Sequence, residues 1–135
     1  MSMAHDLCHC IQLRKASRRV SAHYDEALEP LGINVAQFSL LRNIGSLQPV
    51  SLTDLSHRVE LDRSTLGRNT KVLARMGLVI SVHGEDQREA LLTIAPKGVD
   101  VLASAMPVWE IAQKSMEDRL GSDKLEQLHA LLSAL

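Results

Sequence analysis

The sequence predicts a mostly α-helical domain that carries one small β-hairpin. Three observations lead to this. Apolar residues recur at three- and four-residue steps through most of the chain, the period of amphipathic helices. Two short apolar runs, Leu78–Val82 and Ala90–Ile94, flank a polar loop from His83 to Glu89 and read as two strands and their connection. Aromatic residues make up only 2% of the chain, as Tyr24, Phe38 and Trp109, so the core has to be built from Leu, Val and Ala. A length of 135 residues and a hydrophobic share of 45% fit a single domain with a packed core and argue against disorder.

Taken in order, the first helix runs from about Leu7 to Leu28, with Leu13, Ala16, Val20, Tyr24 and Leu28 as its apolar stripe. Pro30 and Gly32 end it. Asn34 is placed to cap a second helix with Phe38, Leu41 and Ile44 or Leu47 on its inner face, and Gly45 with Pro49 marks the exit. Ser51-Leu-Thr-Asp54 has capping-box spacing, with Asp in place of the usual Glu or Gln. It opens a short helix to about Val59 that buries Leu52, Leu55 and Val59, and Leu61 is expected to be buried beyond it. Asp62 caps the next helix, Asp62 to Gly77. Leu66 and Leu73 face inward there, joined by Thr70 and Met76, while Arg63, Ser64, Thr65, Gly67, Arg68 and Lys71 are left outward or flanking. Gly77 is a suitable stop. After the hairpin, Pro96 suits the first position of a long helix. Its apolar surface comprises Val101, Leu102, Ala105, Val108, Trp109, Ala112 and Met116, and Pro107 is expected to kink or break it. Gly121-Ser122 interrupts the chain. Ser122 or Asp123 is expected to cap a last helix bearing Leu125, Leu128, Leu131, Leu132 and Leu135.

Two helices joined by a turn of three or four residues form a helix-turn-helix. A hairpin directly after them makes the unit a winged helix, with Asp62–Gly77 as its recognition helix. The net charge of -1 argues against a nucleic-acid partner, but its distribution argues for one. Between His57 and Lys97 seven basic residues outweigh five acidic ones, whereas from Gly98 onward six acidic residues outweigh three basic ones. Such asymmetry suits one face for nucleic acid and another with a different task. The terminal helices could pack on the core of their own chain. Their Leu- and Val-rich stripes favour a homodimer interface, which would present two recognition helices to a two-fold DNA site.

Other classes find little support. No apolar run reaches 18 residues, as a membrane span requires. The start, MSMAHDLCHC, lacks the basic and apolar regions of a signal peptide. Cys8 and Cys10 are too close for an unstrained disulfide, so the expectation is a cytoplasmic protein with free thiols. No P-loop, G-x-S-x-G, H-E-x-x-H or zinc-ligand quartet occurs, so the expectation is a protein without catalytic residues or a cofactor. The near-neutral charge keeps open a winged-helix module that binds protein instead of DNA.

Four blocks in register carry a resemblance. They are Val35–Leu41, Ser51–Ser56, Asp62–Arg68 with Leu73 and Gly77–Val79, and Asp86–Arg88 with Leu92-Thr93 and Lys97-Gly98. In their order and spacing the chain resembles the MarR family of bacterial transcriptional regulators across nearly its whole length. The resemblance implies a winged-helix fold within an obligate homodimer. The DNA-binding lobe would span about residues 34–98, and the dimerisation helices about 7–30 and 98–135. It further implies a recognition helix in the major groove, a wing at the minor groove, and repression of a palindromic operator that is loosened by small ligands, metals or oxidation.

In the recognition helix Ser64, Thr65, Arg68 and Asn69 suit base edges and phosphates. Arg can grip guanine with two hydrogen bonds, and Asn can read adenine. Arg63, Lys71 and Arg75 suit phosphates, which set affinity without reading sequence. Gly67 departs from the family pattern, where a small hydroxyl residue is common. In the wing, Arg88 matches the family arginine of the minor groove, and Asp86 the acid that braces it. His5, Cys8 and His9 stand at helical spacing that would bring them to one face, with Cys10 nearby. This is a weak pattern for metal or redox sensing beside the plainer reading of a frayed terminus. The family's effector pocket would draw on His23, Tyr24, Phe38, Met106 and Trp109, all of which also suit ordinary core packing.

Overall fold

The computed structural model describes residues 7–83 and 89–135. Helix α1, His9–Leu28, passes through a short 3-10 turn at Glu29–Leu31 and a left-handed Gly32 into α2, Val35–Leu47. A two-residue strand β1, Val50–Ser51, leads into α3, Leu52–Val59. Helix α4 follows, Arg63–Arg75, then β2, Val79–His83, and β3, Ala90–Ile94. Two helices close the chain, α5 over Pro96–Leu120 and α6 over Ser122–Ser133. The fold is the expected mostly helical winged helix-turn-helix, framed by helices from both ends of the sequence.

The strands form one antiparallel sheet in the order β1-β3-β2. Val79 pairs with Ile94 and His83 with Ala90, while Val50 and Ser51 pair with Leu92 and Leu91 on the other edge of β3. The third strand, β1, was not expected from the sequence. Ser51 serves two elements at once. Its backbone ends β1, and its hydroxyl accepts from the Asp54 amide at 3.1 Å to cap α3.

The core sits where α2, α3, α4 and the sheet meet α5. Leu41, Ile44, Leu55, Leu66 and Leu73 are fully buried there, with Phe38, Leu78, Leu92 and Ala105 beside them. Leu40 joins them, because α2 is covered on more than one side. The α2 cap is a full capping box: Asn34 accepts from the Gln37 amide and Gln37 returns the bond to the Asn34 amide.

Three local expectations need correction, at Leu61, Pro107 and the start of α6, and one alternative is settled. Leu61 is exposed, because the left-handed Glu60 turns the chain outward between α3 and α4. Of the alternatives Ile44 and Leu47, Ile44 is the buried end of the α2 face and Leu47 lies on its open side. Of the two outcomes expected at Pro107, the break does not occur: α5 is continuous to Leu120. Proline leaves the carbonyl four residues back without its amide partner, and here Ala103 is exposed, so water can take that place. Neither Ser122 nor Asp123 caps α6: Gly121 occupies the cap position, without a side-chain bond, and joins α5 to α6 directly.

The terminal helices keep little of their apolar surface covered. On α1 only Leu28 is buried, and Leu13 and Val20 are exposed. On α5 Ile111 is 73% exposed, and α6 buries no residue at all. No helix of the described residues is long and apolar enough to cross a membrane.

Candidate nucleic-acid interface

Helix α4 is fixed on one side and open on the other. Leu66, Thr70 and Leu73 anchor it in the core. Opposite them Ser64, Arg68, Lys71 and Arg75 follow at steps of four, three and four, and all four are exposed. At 3.6 residues per turn these spacings draw one straight stripe along the helix. Arg63 flanks the stripe and is exposed as well.

The start of the helix is organised by Asp62. Its carboxylate accepts from the Thr65 amide at 2.7 Å and from the Ser64 hydroxyl at 3.0 Å. The bond from the Thr65 backbone, helped by the Thr65 and Ser64 side chains and then by the Arg68 charge, holds the Asp62 carboxyl below its ordinary value of 3.8. Arg68 in turn donates to the Thr65 hydroxyl at 3.4 Å. Of the side chains suited to base edges, Ser64, Thr65 and Arg68 are therefore linked to each other and to the cap.

The other end of α4 closes with a Schellman arrangement. The Leu78 amide bonds the Leu73 carbonyl at 2.9 Å and the Gly77 amide bonds the Ala74 carbonyl at 3.0 Å. Gly77 takes the left-handed φ of 78° that this requires.

Asn69 is placed differently from the stripe. It is half-buried and lines a recess with Asn34, Ala36, Gln37, Leu40 and Val72, against the start of α2. Asp86 and Arg88 lie outside the described residues, as does His5.

The expected effector residues divide. Phe38 and Trp109 stack with ring centroids 5.7 Å apart and line a cleft of about 580 Å³ with Arg42, Arg58, Asn43 and Ser46. The Arg42 guanidinium lies 4.9 Å from the centre of the Trp109 ring. Met106 lines an adjoining groove that shares Arg42 and Ser46. His23 and Tyr24 line neither. They fasten α1 to α5, His23 at 3.1 Å from the Ala112 carbonyl and Tyr24 donating to Gln113. Burial first, and then the Glu117 charge, raise the Tyr24 hydroxyl above its ordinary pKa. Arg42 and Arg58 were missed by sequence reading, since nothing in their spacing relates α2 to α3.

Of the group His5, Cys8 and His9, the structure describes only Cys8 and His9. Helix α1 begins at His9, and Cys8 has extended backbone, so helical spacing does not relate the two. Cys8 and Cys10 are free and exposed. Among the described residues no group of three or more His, Cys, Asp or Glu is placed to hold a metal.

Comparison with known proteins places this geometry. The model of the MarR family matches residues 33–90, the stretch from α2 into β3. The structure of the Mycobacterium tuberculosis transcriptional regulator MosR in complex with DNA is 34% identical, covers 93% of each chain and superposes with a TM-score of 0.83. The chain belongs to the MarR family. A mutant MarR from Escherichia coli complexed with operator DNA has the same fold, at a TM-score of 0.87 and 19% identity over 99% of this chain and 97% of that one. An uncharacterized HTH-type transcriptional regulator of Staphylococcus aureus is 35% identical over 72 residues, 53% of this chain and 49% of its own. The chain thus spans about half the length of that curated relative. The MarR match covers the helix-turn-helix and stops at the first residue of β3, so the terminal helices rest on the superposed structures.

Proposed function

We propose that the protein is a homodimeric DNA-binding transcriptional regulator that represses by covering a palindromic operator. The observation that carries this reading is the exposed stripe Ser64, Arg68, Lys71 and Arg75 on a helix whose other side is locked into the core. Arg68, Ser64 and Thr65 serve the bases, with Asn69 at the edge, while Arg63, Lys71 and Arg75 serve phosphates. Asp86 and Arg88 belong to the same reading through the resemblance alone. The DNA complex of the MosR relative supports it.

The second copy is supported by the uncovered apolar faces of α1, α5 and α6. In this reading residues 34–98 form the DNA-binding lobe, and residues 7–30 and 98–135 hold the two copies together. The reading includes no catalytic step and no cofactor, and it places the protein with the chromosome in the cytoplasm.

The cleft under Trp109 is the effector site in this scheme. Two guanidinium groups and a stacked aromatic pair suit a planar anion. Oxidation of the exposed Cys8 or Cys10 is a second route to release. Selection of bound sequences from random duplex DNA tests the central claim. Enrichment of a palindrome is expected, with affinity that falls steeply as salt rises. A pool that stays random would sink it.

A further inference from the structure

The end of α4 is tied to the start of α5 by three contacts. The Ala95 amide donates to the Leu78 carbonyl at 2.9 Å. A Cβ on Gly98 would stand 2.1 Å from that same oxygen, so the first turn of α5 lies directly on the Leu78 backbone. Both contacts reach the chain two residues beyond the helix cap. The third reaches the cap itself: the Lys97 ammonium donates to the Met76 carbonyl at 2.9 Å.

The Schellman bonds occupy the carbonyls of Leu73 and Ala74, and the Met76 amide occupies that of Val72. The Met76 carbonyl lies past them, at the negative end of the helix dipole, where a cation is favoured. Lys97 sits in the first turn of α5, so the wing hairpin is bracketed between its anchor and its target. Its stem also runs against Gly77, with Lys97 Cδ 3.7 Å from where a Gly77 Cβ would stand.

We infer that Lys97 is a positioning residue for DNA recognition: its ammonium, bonded to the Met76 carbonyl, fixes the angle of α4 against α5. This rests on the DNA-binding reading above. Helix α5 continues into the surface assigned to the second copy. The angle at this clasp therefore sets the distance between the two recognition helices. In this inference the Lys97 ammonium serves the Met76 carbonyl rather than a phosphate. The bond is exposed, so its loss leaves the fold standing.

The test compares Lys97→Met and Lys97→Arg with the wild type on the selected operator and on versions one base pair longer and shorter. With two clasps per dimer, Lys97→Met is expected to bind the best operator about three- to ten-fold more weakly. It should also lose discrimination between spacings, while Lys97→Arg keeps both. The slope of log affinity against log salt should not change. A slope lower by about 0.9 per lost contact would make Lys97 a phosphate ligand and overturn the inference. Unchanged spacing discrimination would overturn it as well. A second measurement needs no DNA and separates this failure from that of the DNA-binding reading. Hydrogen exchange at the Met76 and Gly77 amides should quicken in Lys97→Met, and equal rates would end the inference even if the operator is real.

Discussion

The carbonyl oxygen of Leu78 lies 2.1 Å from the place a Cβ on Gly98 would occupy. The side chain of Ile94 stands 2.8 Å from it on another side. The oxygen belongs to a buried backbone that also accepts the Ala95 amide, so it cannot move aside without cost. Gly98→Ala should therefore destabilise the protein by about 1–3 kcal/mol, as overpacking does. Urea denaturation should show a lower midpoint at an unchanged slope.

Gly67 is the opposite case. It lies within α4, and nothing stands within 4 Å of a Cβ built on it. No left-handed angle demands glycine either. Alanine should then stabilise α4 by about 1 kcal/mol, the ordinary difference in helix propensity. A melting temperature that fails to rise in Gly67→Ala would contradict this. If the same variant binds DNA less well, the glycine serves the approach to the groove and not the fold.

Asp62 gives a pH-dependent outcome. Its carboxyl is held below its ordinary value by the Thr65 amide first, and then by the neighbouring hydroxyls and Arg68. A carboxyl with a lowered folded pKa contributes stability above its ordinary, unfolded value, and that contribution fades as pH falls through the folded value. At pH 7 the wild type should melt above Asp62→Asn. The gap should close as the pH drops below 3.8, the carboxyl's ordinary value. A gap that is constant from pH 7 to pH 2.5 would mean that the charge of the cap contributes nothing.

The ends of α4 were legible because their signals are local. A cap acts within three residues and a Schellman stop within six, so Asp62 and Gly77 announce the helix by themselves. The hairpin was legible from its two apolar runs. Strand β1 was not, because two residues have no period and pair only with Leu91 and Leu92, forty residues away. Leu61 and the possible break at Pro107 are not decided by local signals, because hydrophobicity and ring geometry do not say which side faces solvent, and both residues lie on the open side. The stripe on α4 followed from spacing alone. The cleft did not, since it joins Arg42 on α2, Arg58 on α3 and Trp109 on α5 through tertiary packing.

Arg68 and Arg75 should separate specificity from affinity. Both lie on the exposed stripe, but Arg68 is near the Asp62 end and bonds Thr65. Arg68→Ala should cost about 1–3 kcal/mol on the best operator and flatten the preference at one position in each half-site. Arg75→Ala should weaken all sequences alike and reduce the salt slope by about 1 per contact. Competition binding with a panel of single-base operator variants distinguishes the two, and identical profiles would undo the division of labour.

Trp109 is the only tryptophan in the sequence, so its emission reports one place. Benzoate, a planar anion, should change that emission in a saturable way as it enters the cleft. Arg58→Ala should raise the half-saturating concentration without touching the indole, since Arg42 is the residue stacked on it. Emission that is indifferent to benzoate, or equal titrations in both proteins, would exclude a planar carboxylate from this cleft.

Ser51 is shared property. Its backbone keeps step with Leu91 in the sheet while its hydroxyl starts α3, and the residue is 6% exposed. The chain has no slack at this joint. Adding or deleting one residue between Val50 and Leu52 would shift the strand by one place or strip the helix of its cap. Variation in length has to be taken up elsewhere. The joint is like a gear tooth: one residue meshes the sheet with the start of the helix-turn-helix.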